Sequence, residues 1–161
     1  MKMSLTFNEF LNPQTGRLET ASPEGQERSL DVTVVFTSGH ETVAALKRAA
    51  ALAESLGARI TLVVPQIVPY PLPLTSPPVS VEFQERRFRE IAAASPVEIH
   101  VQLFLCRDEL DTLKRVLKPH SLIVIGGRNR LWPTREKSLA RKLRREGHEV
   151  IFTESANSLE N

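Results

Sequence analysis

From residue 31 onward, short apolar runs alternate with amphipathic stretches along the chain. Val32-Thr33-Val34-Val35-Phe36 is β-branched and aromatic, which predicts a strand. Thr37-Ser38-Gly39-His40 reads as a turn, and Ser38 with Glu41 fits a capping box that opens a helix. Thr42–Leu56 is rich in Ala and Leu and sets Val43, Leu46, Ala50, Ala53 and Leu56 along one side, with Gly57 as its stop. Arg59–Val64 predicts a second strand, completing a strand–helix–strand unit of about 35 residues, the size of a right-handed crossover.

Pro65–Pro78 holds prolines at 65, 69, 71, 73, 77 and 78. Proline fixes φ and has no amide proton, so this stretch predicts a loop at the C-terminal end of the second strand. It serves as a stiff connector or as a lid or docking segment. Helical spacing resumes over Val79–Ser95, with Val81, Phe88, Ile91 and Ala92 inward and Pro96 as the stop. Val97–Leu105 alternates apolar residues with Glu98, His100 and Gln102, which predicts a strand with one wetter face at the sheet edge. Asp108–Leu117 predicts a helix with Leu110, Leu113, Val116 and Leu117 inward.

Leu122–Ile125 is apolar without alternation, as in a strand buried on both faces of a parallel sheet, and it runs into Gly126-Gly127. Paired glycines at that place allow a sharp turn or the close approach of a ligand. In open α/β sheets ligands sit beyond the strand C-termini, so a pocket is expected here. Thr134–Glu146 predicts a cationic helix with Leu139, Ala140 and Leu143 inward, and His148–Thr153 a last strand. Five strands alternating with four helices imply an α/β fold. The expected form is a Rossmann-like open five-stranded parallel sheet with helices on both faces and strand order 3-2-1-4-5. The expected organisation is a flexible N-terminal tail over 1–29, one α/β domain over 30–154 and a C-terminal tail over 155–161. Phe7, Phe10 and Leu11 offer a short apolar patch within the first tail.

Composition narrows the function classes more than it selects one. At 161 residues the chain has room for one domain with a sizeable core. Its single cysteine, Cys106, excludes an internal disulfide and lies in an apolar run. No apolar stretch reaches the length of a membrane span and no signal-peptide core opens the chain, so a cytoplasmic location is expected. Net charge is only +2, yet Arg128, Arg130, Arg135, Lys137, Arg141, Lys142, Arg144 and Arg145 crowd one segment. His40, His100, His120 and His148 are scattered, without metal-ligand spacing or an identifiable nucleophilic dyad.

Two segments resemble the universal stress protein family. One is the first unit, DVTVVFTSGHETVAALKRAAALAESLGARITLVV; the other is SLIVIGGRNR, similar to that family's DLIVMGSRGR-like segment. With the matching order of elements, the resemblance covers residues 31–154. Members that bind ATP carry an acidic residue after the first strand and a glycine signature, G-x2-G-x9-G-[ST], after the fourth. Glycine amides approach phosphates, a helix N-terminus supplies positive potential, and the carboxylate accepts from ribose hydroxyls.

This chain departs from that pattern. The acidic position aligns with Thr37, Gly126 matches the first glycine, Asn129 replaces the second, and Lys137-Ser138 replaces the final Gly-Ser in a shortened loop that also carries Pro133. The nucleotide-binding candidates are therefore Thr37, Ser38, Val64, Gly126, Gly127, Arg128, Asn129, Arg130, Lys137 and Ser138. Two readings stay open: an anion such as a nucleotide phosphate still binds there, or the loop is an inherited turn. The resemblance implies a non-catalytic regulatory or stress-response binding protein with a degenerate nucleotide site. The alternatives are an ATP- or AMP-binding protein with an altered phosphate loop, and a nucleic-acid or protein interaction module working through basic helix 134–146 with Trp132. The resemblance also implies a homodimer paired through the last strand, 148–153.

Overall fold

The computed structural model describes residues 4–8 (as backbone), 30–128 and 131–155. Six strands form one sheet: β1 (Ser4–Asn8), β2 (Asp31–Val35), β3 (Arg59–Ile67), β4 (Ile99–Cys106), β5 (Leu122–Arg128) and β6 (Glu149–Ser155). The helices are α1 (Gly39–Leu56), α2 (Val81–Ala93), α3 (Glu109–Val116) and α4 (Arg135–Arg145). The sheet order is β1-β4-β3-β2-β5-β6, and every pairing is parallel. The five strands expected over 31–155 thus lie in the order 3-2-1-4-5, as an α/β Rossmann-like sheet with helices on both faces.

One addition changes the edge. Within the segment expected to be a tail, Ser4–Asn8 pairs with β4 in the register Ser4↔His100 to Asn8↔Phe104. The alternation in β4 therefore marks not a sheet edge but a strand flanked on both sides. Phe10 and Leu11 lie outside the described residues.

The core divides by strand parity. Val32, Val34, Ile60, Leu62, Val101 and Val124 pack against α1 and α2, with Phe88 fully buried among them. Val35, Val63, Ile123 and Ile125 pack on the other face against Leu113 of α3 and Leu143 of α4. Each such side chain contributes roughly 1.5–3 kcal/mol by leaving water, offset by the entropy of ordering it.

Helix α1 presents its small residues to the sheet: Ala45, Ala49, Ala50 and Ala53 are buried with Leu46, while Val43 and Leu56, expected inward, are exposed. A face without bulk lets the helix axis lie close to the strands. The expected capping box is absent: Ser38 is the N-cap residue but its side chain makes no cap hydrogen bond. Glu41 does not reach back to the backbone because it is drawn to an arginine of β5 instead.

β3 runs through Pro65, three residues beyond the expected end at Val64. Phe36 N–H donates to Val63 O on the β2 side, and Val68 N–H donates to Cys106 O on the β4 side. By alternation Pro65 faces β2, past the end of that strand, where no ladder hydrogen bond is lost.

Candidate functional site

The sheet's C-terminal edge carries the site, but the glycine pair does not line it. Gly126 and Gly127 lie inside β5, paired with Thr153 and Glu154, and neither has a positive φ. Their need for glycine is steric and internal. A Cβ on Gly126 would fall 1.9 Å from Glu41 O, and one on Gly127 would fall 2.4 Å from the Phe152 ring. The expected sharp turn is therefore a straight strand that the first turn of α1 presses against on one side and Phe152 on the other.

Around Gly126 most polar groups pair with one another. Thr37 donates its hydroxyl to Gly126 O at 2.9 Å, and Thr37 N–H donates to Thr42 Oγ1 at 3.2 Å. Glu41, only 5% exposed, accepts from Arg128 Nε at 2.9 Å through Oε1, while its Oε2 has no partner. Taking a carboxylate out of water is costly unless a cation meets it, and Arg128 reaches inward from the strand end to do so.

A cleft of about 250 Å³ opens one strand over, at the ends of β2 and β3 between the two helix layers. Thr37, Val64 and Gln66 form its floor, Gln84 comes from α2, Glu109 from α3, and Arg135, Glu136 and Leu139 from α4. The side-chain oxygens of Gln66 and Gln84 are buried without hydrogen-bond partners. Arg135 donates to Glu109 Oε2 at 2.8 Å across the mouth. An adjoining cavity of about 280 Å³ shares Ile67, Glu109, Arg135 and Leu139, and adds Arg107, Asp108, Ser138 and Lys142. Arg107 donates to Val68 O at 2.7 Å and stacks 4.0 Å over the Tyr70 ring, tying the proline-rich segment to the start of α3.

Of the residues expected to bind a nucleotide, Thr37 and Val64 line the cleft and Ser138 lines its neighbour. Ser38 ends the β2–α1 turn, Gly126 and Gly127 are covered by the chain itself, and Arg128 is held by Glu41. Lys137 donates its backbone N–H to the α4 cap residue Thr134. Asn129 and Arg130 lie outside the described residues. No cluster of metal-ligating side chains occurs among the described residues. Cys106 is buried, and burial pushes its thiol pKa up, away from the reactive thiolate. No described helix is long and apolar enough to cross a membrane.

No family model matches the sequence, and no curated protein matches it. Solved structures do. A universal stress protein solved in complex with cAMP superposes with a TM-score of 0.50 at 16% identity, covering 80% of this chain and 98% of its own. A universal stress protein from Archaeoglobus fulgidus superposes with a TM-score of 0.51 at 18% identity, covering 78% of this chain and 93% of its own. The chain has the universal stress protein fold. On that fold the cleft occupies the edge where parallel α/β sheets take ligands.

Five polar lining residues, Gln66, Gln84, Glu109, Arg135 and Glu136, escaped sequence reasoning as site residues, as did Glu41 beside Gly126. Gln66 continues the period of Leu62 and Val64 and was hidden by the prolines around it. Gln84 sits among polar helix residues, and the pairing of Glu109 with Arg135 spans two helices far apart in sequence. Glu41 carried a signal, an acid in a helix's first turn, but its partner lies 87 positions away.

Proposed function

We propose that this chain is a non-catalytic, cytoplasmic regulatory protein of the universal stress type, and that it binds a small adenine compound in the cleft at the ends of β2 and β3. The cleft carries this reading: Thr37 and Val64, two of the positions expected to contact a nucleotide, meet there on one floor. The cAMP complex of a protein with the same fold supports it. In this reading Thr37 and Val64 contact the base and sugar, Ser138 stands near the phosphate end, and the phosphate part of the site is degenerate. Calorimetry with adenosine, AMP and ATP, with and without magnesium, tests the proposal; heat of binding with at least one of them is expected. Absence of binding by all three would remove it.

A symmetric homodimer is proposed with it. β6 is the outer strand of the described sheet on its side, and an outer strand offers unpaired backbone groups. Light scattering should return twice the 18.0 kDa chain mass.

A second reading, polynucleotide binding through α4, is favoured by Trp132, which stands 80% exposed just before a helix whose Arg141, Lys142 and Arg145 face solvent. Retention on single-stranded nucleic acid that falls steeply with salt is its expected sign. No retention at low salt would dismiss it.

A further inference from the structure

Unpaired acceptors and carboxylates meet at the cleft. Gln66 of β3 and Gln84 of α2, both lining the cleft, have buried side-chain oxygens with no donor. Leaving one such oxygen unpaired costs about 1–3 kcal/mol, so two of the same polarity in one cleft call for a ligand that donates N–H. Thr37 spends its single hydroxyl proton on Gly126 O, leaving lone pairs to offer. Two carboxylates, Glu109 and Glu136, line the cleft against one guanidinium, that of Arg135, which is already bonded to Glu109.

Among the described residues, two arginines that could receive a phosphate are already paired. Arg128 is held by Glu41 and Arg135 by Glu109. The N-terminus of α4 is capped by Thr134 Oγ1, which accepts from Lys137 N–H, and that of α3 by Asp108 Oδ1, which accepts from Asp111 N–H at 2.7 Å. The β5 backbone that would have cradled a phosphate is covered at Gly126 by α1.

We infer that the cleft selects a phosphate-free, amine-bearing ligand of the size of an aminopurine base or nucleoside, and that Glu109 is the residue that turns phosphate away. The inference rests on the adenine reading above and names the ligand class of the same site. Glu109 acts in two ways. It neutralises Arg135, and it stands on the boundary shared with the adjoining cavity, where Ser138 and Lys142 would otherwise form an anion receptor with Arg135. The pair contributes little to stability, because Arg135 is 67% exposed while Glu109 is 16% exposed. Changing Glu109 therefore alters selectivity with the fold kept.

Titration calorimetry of the full chain with adenosine, AMP and ATP decides it, on the parent and on Glu109→Gln and Gln66→Leu, each checked by thermal melting. The parent should bind adenosine at least about tenfold more tightly than AMP or ATP. Glu109→Gln should raise the affinity for ATP relative to adenosine by about fivefold or more. Gln66→Leu should weaken adenosine by about tenfold at a melting midpoint equal to or above the parent's. ATP binding the parent as tightly as adenosine overturns the inference while the adenine reading stands. An unchanged ATP-to-adenosine ratio in Glu109→Gln also overturns it. If none of the three compounds binds, both readings fall together.

Discussion

Two corners of one sheet edge contrast here. At the end of β5 the chain has filled its own space: α1 lies against Gly126, Thr37 closes the carbonyl, and Glu41 draws Arg128 inward. At the end of β3, one strand beyond β2, two glutamine oxygens remain unanswered around an open cleft. Both corners sit at the C-terminal ends of parallel strands, where such sheets take ligands. Each corner keeps a buried oxygen without a partner, Glu41 Oε2 at the first and the two glutamine oxygens at the second. The difference therefore lies in the space: at Gly126 the protein's own helix fills it, and at the end of β3 it stays open.

Substitutions separate the two. The largest effect is expected at the closed corner: Gly126→Ala places a Cβ 1.9 Å from a backbone oxygen of α1, which must move. Overpacking of that kind should cost about 3 kcal/mol, read as a lower urea midpoint with an unchanged slope. A variant as stable as the parent would mean the helix and strand are not in that contact. Glu41→Gln comes next. It keeps the shape but removes the charge facing Arg128, whose side chain is 56% exposed and can turn to water, so about 1 kcal/mol is expected by the same measurement.

The open corner should behave in reverse. Gln84→Leu removes an unpaired buried oxygen and should raise stability by about 1 kcal/mol, while adenosine binding weakens. A large loss of stability there would erase the contrast, since it would show that Gln84 already serves the fold.

The smallest effect lies at the opposite end of the sheet and acts as a control on both corners. Burial lowers the pKa of His148 from its ordinary value, and its Nδ1 accepts from Ser121 N–H at 3.2 Å, a bond the neutral ring alone can accept. Because the folded pKa lies below the unfolded one, the unfolded chain binds the extra proton first. The contribution is present above the ordinary histidine range and is lost as pH falls through that range toward the folded value. His148→Asn should flatten the fall of the melting midpoint between neutral and mildly acid pH. An unchanged slope would exclude His148 as its source.

The sheet was legible in the residues because burial imposes a period that local sequence displays. Val32 to Phe36, Ile60 to Val64 and Leu122 to Ile125 announce strands covered on both faces, and the alternation of strands with helices leaves few parallel arrangements. The helix stop at Gly57 was equally local, since its left-handed backbone at φ 63 is what glycine tolerates. The meaning of Gly126-Gly127 was not local. A glycine pair reads the same whether it makes room for a ligand or for the protein's own helix. Only the path of α1, set by its four buried alanines, assigned that room to Glu41.

Amino-acid order by itself determined five of the six strands, their succession and the parallel α/β class, because hydrophobic period and turn chemistry act over neighbouring residues, whereas β1 was not read from the sequence. Tertiary structure alone decided where the opening lies and which charges are spent. The pairs Glu41–Arg128 and Glu109–Arg135 and the convergence of Gln66 with Gln84 join residues from separate elements. Electrostatic and steric complementarity between such residues depends on distance in space, which the spacing along the chain does not encode.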